Sequence, residues 1–258
     1  MRDIKLENMQ KSESLVKLAE LKALPLHQYM DKETLVWIKE NNPFKDTSDT
    51  LNGYHKVFDH TINERIINYI PKKEWFLSPH ADTIHGYRHI LRVTIHSLNL
   101  GSSFGDEVQA VAGIAAMVHD LRRKDDKGDQ EHGKRAAIWF RNHVGEIEQC
   151  CGITLSEQYI QDIYYTILYH EIPYEICEKS DNYKKHKTSV DILKAADALD
   201  RYRLPKLKWW IQDSLLRSKT SKKLKRFAFN LVATSEDSYL SGLDSISSVL
   251  NSLTALCN

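Results

Sequence analysis

Residues 115–121 read Ala115-Ala116-Met117-Val118-His119-Asp120-Leu121, and the interpretation of the whole chain starts from this stretch. An apolar helical run ends here in an adjacent imidazole and carboxylate, which point about 100° apart on a helix. Both can be buried only if something takes their lone pairs, and a divalent cation does so well because imidazole and carboxylate are favoured ligands. A single His–Asp dipeptide is also common by chance. The rest of the chain therefore has to supply partners.

The composition is typical of a soluble globular protein rich in helix. The chain has 258 residues, of which 41% are hydrophobic and 28% charged, and its formal net charge is +1. Such a charge implies no overall attraction to nucleic acid or to a membrane surface. Only 10 glycines and 6 prolines occur, which favours long helices with few tight turns. No apolar run approaches the ~18–20 residues that cross a bilayer.

The cysteines give no sign of a disulfide framework or of a zinc–cysteine site. Cys150 and Cys151 are adjacent and poorly placed to bridge each other, Cys177 and Cys257 are isolated, and no Cys-x-x-Cys occurs. This usage is typical of a reducing compartment. The first residues lack the apolar core of a secretion signal, so we expect a cytoplasmic protein.

Apolar residues recur at helical spacing along most of the chain, which predicts an all-α fold. In residues 1–75 we expect accessory helices within 1–24, at 34–40 and at 57–70. In the denser region 76–205 and in residues 206–258 we expect further helices at 87–99, 106–119, 131–143, 157–170, 189–203, 206–217, 221–234 and 236–256. Residues 178–187 read as a polar loop, and no strand pattern or internal repeat is found.

Four more residues that can bind metal fall on apolar helix faces. His89 lies inside a packing helix, His132 begins a helix, His170 ends an isoleucine stripe and Asp197 lies on a buried stripe. Each has an ordinary explanation, since a core histidine can simply donate to a carbonyl and an aspartate can cap a helix. A buried carboxylate is costly unless it is paired or bound to metal. Four such residues on separate helices favour a metal site around the His–Asp pair.

The order His89…His119-Asp120…Asp197 resembles the signature of the HD-domain metal-dependent phosphohydrolase superfamily. The blocks that carry the resemblance are His-x-x-Arg-Val at 89–93, a hydrophobic run before the His–Asp pair, and Ala-Asp-x-Leu-Asp at 196–200. The resemblance covers about residues 80–205. It implies that 76–205 form an HD-domain helical bundle as the catalytic core, with residues 1–75 as an accessory layer and 206–258 as helices packed on the core.

The two remaining histidines make the chain similar to binuclear members of that superfamily. Symmetrical dinucleoside tetraphosphate hydrolases have the same ligand order and also place a glycine after the third histidine, where this chain has Gly133. The resemblance implies that Asp120 bridges two metals, with His89, His119 and Asp197 completing one site and His132 and His170 the other. The Gly-Tyr-Pro motif of the cyclic-di-GMP phosphodiesterase branch is missing, and Arg122-Arg123-Lys124 replaces the Glu-Asp of the alarmone hydrolases, so no branch supplies a substrate.

A ligand set of nitrogen and oxygen without sulfur suits Mn, Fe, Co, Ni, Mg or Zn ions. Two such ions roughly 3.5–4 Å apart can hold a hydroxide and direct it at phosphorus. No nucleophilic side chain is then needed, which agrees with the absence of a Gly-x-Ser-x-Gly motif. The sequence therefore predicts two divalent ions of unspecified identity.

Three basic residues and one histidine are placed to act on a substrate. Arg122, Arg123 and Lys124 directly follow the His–Asp pair and can clamp phosphates that do not react; an exposed basic turn paired with the acids that follow is the alternative. His85 precedes His89 by one helical turn and can protonate a leaving group, or it is a helix-start residue bonded to solvent.

A basic segment follows the last proposed ligand. Residues 201–226 contain ten basic residues and one acid, Asp213, which reads either as a solvated helix face or as a guide for a phosphate-rich ligand. We expect hydrolysis of a phosphoester or phosphoanhydride in a small nucleotide-like substrate by a metal-activated hydroxide. The alternatives are a phosphodiesterase for cyclic or linear oligonucleotides, a nucleotide-binding HD protein without catalysis, and a helical interaction protein. A nucleic-acid partner is not favoured, and a membrane partner is not expected.

Overall fold

The computed structural model describes residues 13–45, 61–77 and 79–257, and it confirms the all-α fold class. These ranges form a bundle of helices and contain no strand. Parts of the predicted accessory layer, residues 1–12 and 46–60, lie outside the described residues. None of the described helices is both long and apolar enough to span a membrane.

The α-helices are numbered here in chain order. They are α1 (Leu15–Glu20), α2 (Lys32–Glu40), α3 (Thr61–Arg65), α4 (Tyr87–Gly101), α5 (Asp106–Val118), α6 (His132–Asn142), α7 (Val144–Cys151), α8 (Glu157–Tyr169), α9 (Tyr174–Cys177), α10 (Asp181–Lys185), α11 (Lys187–Leu199), α12 (Lys222–Leu240) and α13 (Ser245–Cys257).

Helix α4 lies at the centre of the bundle, since every side chain from Tyr87 to Leu98 is buried. A helix that is covered on all sides needs neighbours on every face. Helix α5 packs along α4, and α11, α12 and α13 cover its other faces. Helix α8 contacts α5, α6 and α11. The first turn of α4, the end of α5 and the end of α11 are thereby held close together.

A buried ionic layer attaches the C-terminal helices to α4. Arg88 and Arg92 donate to opposite oxygens of Glu236 on α12, each at 2.8 Å. Arg88 also donates to Ser245 at 2.7 Å. Arg92 reaches in the other direction to the carboxylate of Asp200. Because these ionic groups are almost fully buried, loss of any one of them would leave an oppositely charged group buried without compensation, which is strongly destabilising.

The segment between α1 and α2 docks on the core through backbone pairing. The Asp126 amide donates to the carbonyl of Leu26 at 2.7 Å, and the Ile84 amide donates to the carbonyl of Gln28 at 2.8 Å. The Gln28 amide in turn donates to the Asp126 side chain at 2.8 Å. The described part of the N-terminal region therefore contacts the loops that surround α4.

The helix predicted at 206–217 is not formed. The chain makes two short 3₁₀ turns there, Leu207–Trp209 and Asp213–Leu215. The indole N–H of Trp210 donates to the Leu204 carbonyl at 2.8 Å, and its ring packs edge-on against Tyr202. This anchor fixes the path of the segment, and tertiary packing overrides the local helical pattern.

Other helix boundaries also differ from the prediction. Helix α12 continues through 235, where a break was predicted, and Glu236 on this helix is a buried ion-pair partner. The predicted helix 189–203 becomes α11 followed by a 3₁₀ turn, Asp200–Arg203. Helix α7 was not predicted, and the predicted polar loop 178–187 contains the short α10.

Candidate metal centre

The structure brings the six predicted ligands together at the ends of five helices. His89 lies in the first turn of α4, and His119 and Asp120 directly follow α5. The others are His132 at the start of α6, His170 directly after α8, and Asp197 in the last turn of α11. All are buried except Asp197, whose side chain is 36% exposed.

The two carboxylate oxygens of Asp120 face different histidine pairs. Oδ2 lies 3.4 Å from Nε2 of His89 and 3.8 Å from Nε2 of His119. Oδ1 lies 3.1 Å from Nε2 of His132 and 3.7 Å from Nε2 of His170. Asp197 joins the first pair, with its Oδ1 3.5 Å from Nε2 of His89. Asp120 therefore stands between two groups of side chains, each able to contribute to a metal site.

The outer ring nitrogens are fixed by acceptors. Nδ1 of His119 donates to the Ala116 carbonyl and Nδ1 of His170 to the Ile167 carbonyl, both at 2.7 Å. A carbonyl only accepts, so Nδ1 carries the hydrogen, and in the neutral ring Nε2 presents a lone pair. The same pattern orients histidines that bind metals in proteins.

Opposed lone pairs provide a test of whether metal ions fit. Nε2 of His89 lies 3.2 Å from Nε2 of His119, and Nε2 of His132 lies 3.0 Å from Nε2 of His170. With their outer nitrogens protonated, facing Nε2 atoms at these separations repel unless a cation lies between them, either a proton on one ring or a metal ion. The clusters His89–His119–Asp197 and His119–Asp120–His170 can each hold a metal ion.

Asp200 orients His89 from behind. Nδ1 of His89 lies 2.7 Å from Oδ2 of Asp200, which also receives Arg203 at 3.1 Å. Burial raises the pKa of the Asp200 carboxyl, but Arg92 and Arg203 outweigh burial and hold the pKa well below its usual range. Asp200 is therefore a permanent acceptor at neutral pH and keeps Nε2 of His89 turned towards Asp120.

Electrostatics keep a negative charge on Asp120. Burial raises its pKa, but Arg123 and the neighbouring histidines outweigh burial, so the pKa lies well below the usual value. Burial lowers the pKa of His119 to about 3. At His132 the effect of burial is outweighed by Asp120 and Glu171, which raise its pKa to about 9. Without a metal ion, His132 therefore carries a proton at neutral pH, whereas His119 is neutral.

A glycine lets the second histidine pair form. A Cβ on Gly133 would lie 2.9 Å from Cε1 of His170 and 3.0 Å from the Ile167 carbonyl oxygen. The Gly133 amide also donates to Glu171 at 2.9 Å. Close packing of α6 on α8 thus depends on the missing side chain at this position.

A cavity of about 580 Å³ opens over this centre. Its volume lies in the range of small-molecule sites, roughly 300–1,000 Å³. Four of the proposed ligands, Asp120, His132, His170 and Asp197, line this cavity. The basic side chains in the lining are Arg123, Lys194, Arg201, Arg203 and Arg217. A cavity lined by metal-binding side chains and by several cations suits a phosphate-bearing ligand.

His85 also lines the cavity and is held by Asp126. Nδ1 of His85 lies 2.9 Å from Oδ1 of Asp126. Burial, together with Arg123 and Arg203, lowers the pKa of His85 well below its usual range. The ring is therefore neutral at neutral pH and presents Nε2 as an acceptor. To protonate a leaving group, His85 would have to carry an extra proton on its ring, and the neutral ring does not carry one.

The three basic residues after the His–Asp pair separate in the structure. Arg123 turns back, with Nη1 3.3 Å from Oδ1 of Asp120 and 3.2 Å from Nε2 of His132. Arg122 donates to the Trp75 carbonyl at 2.9 Å, and Lys124 is exposed. Neither Arg122 nor Lys124 lines the cavity.

Sequence reasoning missed two residues of the site. Glu171 lies 2.9 Å from Nδ1 of His132, and its position next to His170 was a usable signal. Lys194 lies one helical turn before Asp197 on α11, so their side chains share a face. Its Nζ donates to the His170 carbonyl at 2.9 Å, which ties α11 to the end of α8.

Comparisons of the chain with protein-family models, with curated proteins and with solved structures found no match. The resemblance to the HD-domain superfamily therefore stays a prediction drawn from short sequence blocks. The assignment of the two metal groups rests on the positions of Asp120 and its four histidines. The boundaries proposed for the three regions, 1–75, 76–205 and 206–258, likewise stay predictions.

Proposed function

We propose that this protein is a metal-dependent phosphohydrolase of the HD-domain type, acting on a phosphoester or phosphoanhydride bond of a nucleotide-like substrate. The observation that carries the proposal is the division of the Asp120 oxygens between the pairs His89–His119 and His132–His170. Packing alone does not account for the convergence of metal-binding side chains from five separate helices around one carboxylate.

Two divalent ions fit the donor set, with Asp120 contributing to both. Such ions neutralise charge on a phosphoryl group and acidify water at neutral pH. The protein fixes the ligands: Asp200 holds His89, the Ala116 carbonyl holds His119, and Glu171 holds His132. These outer contacts determine ring orientation and are worth about 10–100-fold in metal affinity in comparable sites.

The basic residues of the cavity supply substrate binding. Arg201 and Arg217 line the cavity but are not among the proposed metal ligands, so they can contact phosphates beyond the one that reacts. Arg217 and Lys194 both lie over the Tyr174 ring, at 4.5 and 4.8 Å from its centroid. The ring thus holds two cations near the opening of the site.

His85 contributes as a neutral acceptor. Its Nδ1 is engaged by Asp126, which leaves Nε2 to accept a hydrogen from a substrate hydroxyl or from water. Arg123 lies against Asp120 and His132 and is placed to contact an oxygen of a phosphate that enters the centre.

A phosphodiesterase acting on cyclic or linear oligonucleotides is the second candidate. The specific observation is that Arg201, Arg203 and Arg217, all from the basic segment 201–226, border the cavity. Several cations in one site can bind phosphate oxygens on both sides of a phosphodiester group. Rates on bis(p-nitrophenyl) phosphate and on p-nitrophenyl phosphate separate the two candidates.

Metal analysis coupled to a nucleotide hydrolysis screen tests the proposal. Protein stripped with a chelator is reloaded with Mn²⁺, Fe²⁺, Co²⁺, Ni²⁺, Zn²⁺ or Mg²⁺ and assayed for released phosphate, with D120N as the inactive variant and D162N, a carboxylate on α8 outside the centre, as its control. We expect metal-dependent turnover that D120N abolishes and D162N retains. Protein without stoichiometric metal, whose activity D120N leaves untouched, would contradict the proposal. Full metal loading without turnover of any nucleotide would favour a non-catalytic binder.

A further inference from the structure

A second group of metal-binding side chains lies apart from the six ligands of the proposed centre. His27 comes from the segment between α1 and α2, His80 from the 3₁₀ turn His80–Asp82, and Asp126 from the loop between α5 and α6. One ligand atom of each lies within 4.8 Å of the other two. Three segments distant in sequence therefore bring two imidazoles and one carboxylate to one place.

Two nitrogens in this group have no hydrogen-bond partner. Nδ1 of His27 and Nδ1 of His80 are both shielded from solvent and unsatisfied. His80 is only 2% exposed. Its Nδ1 lies 3.9 Å from Oδ1 of Asp126, too far for a hydrogen bond, and the two imidazole rings meet edge to face at 4.7 Å. Buried polar atoms are rarely left unpaired in native proteins, so each one needs an explanation.

Asp126 has capacity for one more partner. The Gln28 amide donates to Oδ2 at 2.8 Å, while Thr83 Oγ1 and His85 Nδ1 lie 3.0 and 2.9 Å from Oδ1. A carboxylate offers about four acceptor positions, so one stays open.

We propose that His27, His80 and Asp126 form a separate site for a borderline divalent cation, with Zn²⁺ as the representative ion. Two imidazoles and one carboxylate are a common donor set for zinc and for ferrous iron. The ion would satisfy both orphan nitrogens and the open position of Asp126 at once.

The expected role of the ion is to fix the N-terminal segment on the core. Residues 26–28 already pair with the Ile84 and Asp126 backbones, and the ion adds a link through side chains. Because Asp126 also holds His85, the same link stabilises one wall of the cavity. The site does not depend on the proposed function, since none of its ligands belongs to the centre around Asp120.

The test is zinc stoichiometry of the full chain. Protein stripped with chelator is saturated with Zn²⁺, freed of excess metal and analysed by mass spectrometry of metal content. We expect H27Q and H80Q each to bind one equivalent less than the unmodified protein. H143Q, which changes a histidine outside both groups, is the matched control and should bind the full amount. Equal zinc content in unmodified protein, H27Q and H143Q would overturn the proposal.

The result separates this site from the centre around Asp120. If that centre binds zinc, H27Q removes one ion and leaves the others; if it does not, H27Q removes all bound zinc. In either case, adding H27Q to D120N should remove one equivalent relative to D120N alone.

A second measurement does not require any variant to fold. Crystals of the unmodified, zinc-saturated protein should show an anomalous peak between His27, His80 and Asp126 at the zinc absorption edge. Absence of this peak at saturating zinc would also overturn the proposal.

Discussion

His89 and Asp200 are joined by a hydrogen bond of 2.7 Å between Nδ1 and Oδ2, and this contact turns Nε2 of His89 towards the Asp120 carboxylate. Asp200 also receives Arg92, which donates to Glu236 at 2.8 Å. The chain of contacts runs from the proposed metal ligand to the C-terminal helix α12. Residues after 205 therefore contribute to the site although none of the proposed ligands lies there.

D200N should weaken metal binding. An asparagine amide offers either an acceptor or a donor to Nδ1 of His89, and the change removes the charge that balances Arg92 and Arg203. We expect the affinity for Mn²⁺ or Zn²⁺ to fall about 10–100-fold, measured by competition with a chromogenic chelator.

D162N is the matched control for this change. Asp162 pairs with His186, so it is also a carboxylate that holds a histidine, but it lies outside the centre. An unchanged metal affinity in folded D200N, or an equal loss in D162N, would contradict the role assigned to Asp200.

Removing one histidine of the second pair should remove one ion. His132 has Asp120 and His170 within 3.1 Å of its Nε2, so H132Q should lower the metal content by one equivalent, whereas D120N should lower it by two. Native mass spectrometry measures both differences. A loss of the same number of ions in both variants would argue against Asp120 as the shared ligand.

The sequence predicted the all-α fold because the central helices carry a clear apolar period. The predicted helix 106–119 and the observed α5 (Asp106–Val118) nearly coincide. It also predicted which residues to examine for a metal site, because each stood at an end or on a buried face of a helix. The grouping of the histidines into two pairs around Asp120 was expected only from the resemblance to binuclear members of the HD-domain superfamily. Which carboxylate oxygen faces which pair depends on how α6 and α8 pack, and no local sequence pattern shows this.

Contacts distant in sequence account for what the sequence did not reveal. Arg122 and Arg123 are neighbours, but Arg122 bonds the Trp75 carbonyl while Arg123 faces Asp120; no local pattern distinguishes them. The predicted helix 206–217 fails because Trp210 is anchored at Leu204. Glu236, expected at the start of a new helix, lies inside α12 and is buried against Arg88.

R201A should raise the KM for a nucleotide polyphosphate more than it lowers kcat. Arg201 lines the cavity and is not one of the proposed metal ligands, so it would bind phosphate in both ground and transition states. Loss of a hydrogen bond to a charged group is worth about 1.5–3 kcal/mol, or roughly 10–100-fold in KM.

R141A is the control, since Arg141 is exposed on α6, where it pairs with Glu157 at 3.7 Å and lies over the Tyr164 ring, and it does not line the cavity. Steady-state kinetics with the best substrate of the nucleotide panel gives both constants. An equal KM in R201A and the unmodified protein would exclude Arg201 from phosphate binding.

His96 should make the fold sensitive to acid. Burial lowers the pKa of His96 from 6.5 to about 4. Arg92 and His89 add to this lowering, and Asp200 opposes it. Above pH 6.5 the ring is neutral in both states and has no effect on the free energy of unfolding. Below pH 6.5 the unfolded chain takes up the proton first, so stability falls by roughly 3 kcal/mol down to pH 4.

Urea unfolding at pH 7.5, 6 and 5 measures this effect, with chelator present so that metal release does not contribute. H96L cannot take up a proton, so its stability should decline less over this interval than that of the unmodified protein. H143Q controls for removal of an arbitrary imidazole. Parallel declines in H96L and the unmodified protein would assign the acid sensitivity to other groups.

Glu236 and Asp237 are adjacent carboxylates that should differ sharply in their contribution to stability. Glu236 is buried and pairs with Arg88 and Arg92, whereas Asp237 is 59% exposed and pairs with Lys39 at 3.0 Å. E236Q leaves Arg88 buried without an acidic partner and should cost about 3–5 kcal/mol in the free energy of unfolding. D237N removes an exposed pair and should cost less than about 1 kcal/mol. Denaturant unfolding of both variants measures the difference.

The same pair of variants tests whether the ionic layer supports the metal centre. Because Arg92 also contacts Asp200, folded E236Q should bind metal more weakly than the unmodified protein, while D237N should bind it equally well. Equal metal affinity in the two variants would show that the ionic layer does not support the centre.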